Sequence, residues 1–254
     1  MLLENKNAVI YGGGGSIGGA VSRAFAREGA KVFLAGRTLE SLERVAEEIR
    51  SAGGEAETAQ VDAMDEKAVD RHADAVAKEG GSLDISFNLI THPHTHGVPF
   101  HEMTADDFMA PVEVAARSTF ITAKAAARNM ISQRSGVILA FGGPGDRSGP
   151  SRDYYLGGTQ VAFDAIETIR RQLSAELGPH GVRFVTLASG GIPETFPDDF
   201  EEVEKITAMI EADTLLGRAA TLEDVGNAAV FAASDWARSV TAAIINVSAG
   251  ALID

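Results

Sequence analysis

Short apolar runs alternate along this chain with segments in which apolar residues recur every three or four positions. Ala8 to Tyr11 is the first such run; it stops at four consecutive glycines, after which Ile17, Val21 and Phe25 fall on one helical face. Lys31 to Ala35 is a second buried run, followed by Leu39, Leu42, Val45 and Ile49 at helical spacing until Gly53 and Gly54 end the element. The same alternation predicts strands over Ala56 to Val61, Leu83 to Leu89, Gly136 to Phe141, Val182 to Leu187 and Ala243 to Val247, with helices between them. Thr104 with Asp107, and Thr221 with Asp224, carry the hydroxyl-then-acid spacing that caps a helix start. Strands that alternate with helices imply an α/β chain: a doubly wound parallel sheet of about seven strands, covered by helices on both faces and joined by right-handed crossovers.

Length and punctuation bear on domain count. The 254 residues lie near the upper end of what one core organises, and no repeat, low-complexity tract or Pro/Ser-rich linker divides them, so residues 1–254 read as a single domain. A formal net charge of -14 opposes nucleic acid and anionic membranes as partners, because the summed field repels phosphates at long range. There are no cysteines, which excludes disulfides, thiolate nucleophiles and thiolate metal sites. No long apolar run opens the chain at Met1 to Asn7, and no later stretch approaches the ~18 apolar residues of a membrane span, so a cytoplasmic location is expected.

Candidate chemistry sits where the predicted strands end. The stretch from Gly12 through Gly15, Ser16 and Ile17 to Gly18 lies between the first strand and the first helix, the context in which a glycine turn cradles phosphate on backbone N–H groups. A merely flexible turn is the plainer alternative. The second strand ends in Ala35-Gly36-Arg37, with an arginine and no acid. A planar guanidinium suits a 2′-phosphate, so NADP(H) is expected in preference to NAD(H); a solvated arginine at a helix start is the rival reading. Two glycine- and proline-bearing stretches, Gly142 to Gly158 and Ser189 to Asp199, follow strands and are candidate site loops. His92, His94, His96 and His101 cluster after the fourth strand, where imidazoles can serve as acid, base or metal ligand. A polar loop of exposed rings without metal is the favoured reading of that cluster. Tyr154 and Tyr155 offer phenols, or pack over a pocket.

These residues resemble the short-chain dehydrogenase/reductase family, whose first turn reads Thr-Gly-x-x-x-Gly-x-Gly. Gly12 and Gly18 keep that spacing, while Tyr11 and Ser16 stand at the first and middle motif positions. Asp62, after Val61, is similar to the acid that meets the adenine amino group. Asn88 matches the first residue of the family's Asn-Asn-Ala-Gly segment, with Leu89, Ile90 and Thr91 replacing the rest. The segment from Leu173 to Arg183 sets the register of the long helix. In that register the family's Tyr-x-x-x-Lys falls on Thr159 and Phe163, its Ser on Gly142-Gly143, its Asn on Ala115 and its Pro-Gly on Ser189-Gly190. A slipped register with Tyr155 as the tyrosine puts Thr159 at the lysine, and no lysine occurs between Lys124 and Lys205. Ser148 and Ser151 are the nearest substitute hydroxyls.

The resemblance implies a Rossmann-type fold and an NADP(H)-dependent oxidoreductase acting on a small-molecule carbonyl or alcohol. Its non-standard site would draw on Tyr155, His92 and Thr159, with no metal. Gly12, Gly15, Ser16, Ile17, Gly18, Arg37, Asp62 and Asn88 would hold the cofactor. The rivals are an inactive nucleotide-binding regulator, an inactive partner subunit of an active family member, and a metal-dependent lyase or hydrolase built on the histidine loop. The family also implies a homo-dimer or homo-tetramer, or assembly with a paralogous subunit, through helices over Val112 to Met130 and Thr159 to Leu177 and through the last strand.

Overall fold

The computed structural model describes residues 1–93, 97–143, 155–197 and 202–253. Its elements run β1 (Asn7–Tyr11), α1 (Ser16–Arg27), β2 (Lys31–Gly36), α2 (Leu39–Ser51), β3 (Glu55–Gln60), α3 (Glu66–Gly80), β4 (Ile85–Asn88), α4 (Ala105–Gln133), β5 (Gly136–Gly142), α5 (Thr159–Leu177), β6 (Val182–Ala188), α6 (Val203–Ala212), α7 (Leu222–Ala233) and β7 (Ala243–Asn246). Seven strands form one sheet in the order β3-β2-β1-β4-β5-β6-β7, and every pair is parallel. The order reverses between β1 and β4, which opens a crevice at the carboxyl ends of those strands. All seven strands fall where the apolar runs predict them. Val61 and Leu83, expected inside β3 and β4, lie just outside the ladders yet are buried in the core.

Successive side chains of each strand face opposite sides, so the alternation sorts the core into two layers. Ala8, Ile10, Leu34, Phe87 and Leu139 pack with α1, α2 and α7; Val9, Tyr11, Phe33, Ile138 and Ala140 pack with α3, α4 and α5. Both predicted caps form. Thr104 Oγ1 accepts from the Asp107 N–H, and Thr221 and Asp224 close a full capping box at the start of α7. At the other end of α7, Arg183 of β6 donates to the carbonyl of Ala232 at 2.9 Å, satisfying an acceptor that the helix itself leaves open, and to the carbonyl of Val240 beyond it at 3.0 Å. Among the described residues no helix is long and apolar enough to cross a membrane.

The turn between β1 and α1 is packed as tightly as the core. Gly12 adopts φ +86°, and a Cβ there would lie 2.5 Å from the Leu89 carbonyl oxygen beyond β4. A Cβ on Gly18 would lie 2.1 Å from the Gly12 carbonyl oxygen, so α1 leaves the turn only because position 18 has no side chain. Gly15 is different. It is exposed, it holds the N-cap position of α1 with φ -81°, and the nearest atom to a Cβ there would be 3.5 Å away.

Tyr11 closes β1 beneath this turn, and burial together with the nearby Asp70 carboxylate pushes its phenol well above the usual tyrosine range. His72 of α3 packs edge-on to it, with ring centroids 6.1 Å apart. The His72 Nδ1 atom is buried with no hydrogen-bond partner among the described residues, and burial lowers the imidazole pKa from 6.5 to about 4.

Two stability predictions follow from these contacts. Gly18→Ala forces backbone against backbone and is expected to cost roughly 2–4 kcal/mol, read as a fall in the denaturant midpoint at unchanged slope; a midpoint matching the parent chain refutes the contact. His72 is neutral in the fold and binds a proton more readily when unfolded. Its contribution is therefore complete above pH 6.5 and drains away as pH falls toward about 4, by at most about 3 kcal/mol. His72→Gln should flatten that part of the Tm-against-pH curve relative to the parent, and parallel curves would refute the assignment.

Candidate active site

The residues picked out along the sequence gather at one end of the sheet, on both sides of the switch point. On the β2–β3 side, Arg37 follows Gly36 directly. Its backbone carbonyl accepts from Gln60 Nε2 at 2.9 Å, while its side chain is exposed and enters no ion pair among the described residues. Asp62 follows β3 and is exposed; one carboxylate oxygen accepts from the Met64 N–H at 2.9 Å, which shapes the turn into α3. Between these positions and the switch point, Ser16 and Ile17 open α1. No side chain caps that end, so its first backbone N–H groups remain available to an anion.

On the β4–β5 side the character changes. Asn88 ends β4 and is buried, with its amide committed to the protein: Nδ2 donates to Ser118 Oγ at 3.1 Å and Thr119 Oγ1 at 3.2 Å, and Oδ1 accepts from the Ile90 N–H at 3.1 Å. Ser118 and Thr119 were not singled out in the sequence, because a hydroxyl on the buried face of a long helix carries no local mark of what it meets thirty residues earlier.

The predicted histidine cluster divides. His92 is 7% exposed and packs edge-on against Phe163 of α5, ring centroids 5.3 Å apart. His101 points outward beside Glu102 at 3.3 Å. His94, His96, Ser148, Ser151 and Tyr154 lie outside the described residues, and among those described no group of three or more His, Asp or Glu could hold a metal ion. The exposed rings expected of this loop are thus only partly found, since Phe163 draws His92 inward.

Phe163 also explains Gly143. A Cβ on Gly143 would lie 2.2 Å from the Phe163 ring, so the aromatic edge fills the space that a side chain past the end of β5 would take. Thr159 is buried one helical turn before Phe163 on the same face of α5. Tyr155 is 45% exposed at the mouth, with its backbone carbonyl accepting from the Gly97 N–H at 3.0 Å. His92 and Phe163 are therefore brought together, Thr159 is buried on the helix face that carries Phe163, and Tyr155 is exposed. Past β6, Ser189 is buried and donates to the Val247 carbonyl at 3.1 Å.

Known proteins resemble this chain in sequence and fold along nearly its whole length. The family model described as Enoyl-(Acyl carrier protein) reductase matches residues 13–251. An uncharacterized oxidoreductase of Bacillus subtilis is 30% identical over 98% of this chain and 91% of its own length. A galactitol 2-dehydrogenase of Rhizobium johnstonii is likewise 30% identical, over 98% of this chain and 95% of its own. The structure of a short-chain type dehydrogenase/reductase from Mycobacterium ulcerans superposes with a TM-score of 0.87 at 25% identity, covering 99% of this chain and 91% of that one. A match of this extent in sequence and in fold makes the chain a member of the short-chain dehydrogenase/reductase family, oxidoreductases that use a nicotinamide cofactor on alcohols and carbonyls.

Proposed function

We propose that the chain is an NADP(H)-dependent oxidoreductase whose proton chemistry runs through residues other than the family's usual serine, tyrosine and lysine. The observation that carries this reading is the uncapped start of α1 together with an exposed Arg37 past the next strand that enters no ion pair among the described residues. The N-cap of that helix is an exposed glycine, Gly15, where a Cβ would meet nothing nearer than 3.5 Å. The pyrophosphate of a dinucleotide meets Gly15, Ser16 and Ile17, with Gly12 and Gly18 shaping the turn beneath it. The 2′-phosphate meets Arg37, and the adenine lies toward Asp62. Asn88 acts from below, holding the end of β4 against α4.

The bound nicotinamide supplies the hydride site. The chain must supply the proton, and His92, a buried imidazole sheltered from bulk water, is the group we assign. Thr159 orients, and Tyr155 at the rim is the alternative phenol. The substrate is a small alcohol or carbonyl, of the general kind named for the galactitol dehydrogenase relative.

A second reading is favoured by one observation. The Phe163 ring lies where the aligned register sets the family's lysine and closes the space over Gly143, where it sets the serine, which suits a nucleotide-binding regulator or an inactive partner subunit.

Binding is tested by calorimetric titration with NADPH and NADH. NADPH is expected to bind at least tenfold tighter, and Arg37→Ala should remove that preference while leaving NADH unchanged. Gly15→Asp caps α1 and should keep or raise Tm, yet weaken both nucleotides at least tenfold by placing a carboxylate where the pyrophosphate sits. Equal affinities for NADPH and NADH in the parent chain would refute the assignment of Arg37. Turnover is tested by hydride exchange over a panel of sugar alcohols, secondary alcohols and their carbonyls. His92→Ala should lower kcat by about 10² or more, the usual worth of a positioned acid–base group, with a smaller effect from Tyr155→Phe. No exchange by the parent chain, with nucleotide binding intact, selects the non-catalytic reading.

A further inference from the structure

The net charge of this chain is not spread evenly over it. Two stretches, residues 91–116 and 191–213, hold twelve of the 36 acidic residues and a single basic one, Lys205; the remainder of the chain has 24 acids against 21 bases. Nearly all of the net -14 therefore belongs to these two segments. Both stand at the carboxyl end of the sheet, one on each side of β5. The first follows β4 and runs into α4, where the Phe108 carbonyl oxygen occupies the place of a Cβ on Gly158 and so sets the start of α4 against the start of α5. The second follows β6. A Cβ on Gly191 would lie 2.5 Å from the Ile210 side chain, which seats α6 on the backbone leaving β6, and residues 193–195 lie against α1. Nine of the twelve acids are among the described residues, and they are little neutralised. Asp106, Glu204, Glu211 and Asp213 are exposed and enter no ion pair among those residues, while Glu113 meets Arg117 and Glu202 meets Lys205. Residues 144–154, which follow β5, carry two acids and two bases and do not alter the balance.

A mouth walled on two sides by one sign of charge, above the low-dielectric end of a sheet, focuses its potential on whatever enters. Exposed charges act over roughly 10 Å at 0.1 M salt, so the effect is confined to the mouth and weakens as salt is added. For an anion this is the repulsive element that separates two substrates of equal shape. We propose that the two acidic walls select the substrate by charge: the alcohol or carbonyl that enters between them is neutral or cationic, and carboxylates, phosphates and the anionic thioesters of coenzyme A are excluded. The inference rests on the oxidoreductase reading above, whose substrate it narrows. The phosphates of the nucleotide are untouched by it, because that reading assigns them to the β1–β2 side of the crevice.

Turnover of secondary alcohols matched in skeleton, at saturating nucleotide, tests this: 3-hydroxybutyrate, 1,3-butanediol and 4-amino-2-butanol, with longer homologous sets that carry the same three end groups. At about 20 mM salt the neutral and cationic members are expected to have kcat/KM at least tenfold above the carboxylate, and about 300 mM salt should narrow that ratio at least threefold. The triple variant Glu204→Gln, Glu211→Gln, Asp213→Asn should raise kcat/KM for the carboxylate several-fold and leave the neutral alcohol unchanged; the unchanged neutral rate also reports that the variant is folded. A carboxylate used as well as its neutral partner, or a preference that neither salt nor the variant moves, would overturn the inference and leave the oxidoreductase reading standing. No turnover of any member with nucleotide bound would retire that reading, and this inference with it.

Discussion

A parallel sheet joined through helices exposes neither of its faces, and most of this chain follows from that requirement. Each strand must be apolar on both sides, each crossover must return across one face or the other, and the helices must therefore divide between two layers. The division here is α1, α2 and α7 against α3, α4 and α5, with neighbouring residues of each strand serving opposite layers. Where the winding reverses, between β1 and β4, no crossover covers the carboxyl ends. The gap in that cover is the site, and its two rims are built from different halves of the chain.

The rims differ in how they are made. The β1–β2 rim is assembled locally: a turn, the helix after it and the residue past the next strand, all within the first 37 positions. Its geometry is set by backbone packing at Gly12 and Gly18, so little in it can vary without loss of the fold. The β4–β5 rim draws on α4, α5 and loops far apart in sequence, and its side chains answer to one another. Gly143 is small where Phe163 is large, and Asn88 is satisfied because Ser118 and Thr119 face it.

This difference also decides what was legible in the sequence. The seven strands announce themselves because a strand buried on both faces must be an apolar run, and β3, one of the two edge strands, is the least distinct, with Glu55 and Glu57 among its residues. Val61 and Leu83 extend the apolar pattern just beyond the strands because the core needs them there; the Val61 N–H still donates to the Gly36 carbonyl, and the backbone of Leu83 is paired with the Gln133 side-chain amide. Gly12, Gly18 and Arg37 are readable because their meaning depends on neighbours in sequence. His92 is not: a His-Pro-His-Thr-His stretch looks exposed, and the buried ring meets Phe163, seventy-one positions later. Phe163 itself could be set in register from the sequence, but its contact with Gly143 required the third dimension.

The absent side chain of Gly12 has a mechanical meaning. Because the Leu89 carbonyl oxygen occupies the place a Cβ would take, the backbone leaving β4 bears directly on the backbone of the phosphate turn, with no deformable group between them. The Leu89 N–H is tied in turn to the Tyr11 carbonyl at 2.9 Å. The loop that carries His92 and the glycine turn before α1 thus rest on a common rigid joint. Whatever displaces one displaces the other, and the two rims, unlike in composition, cannot move independently.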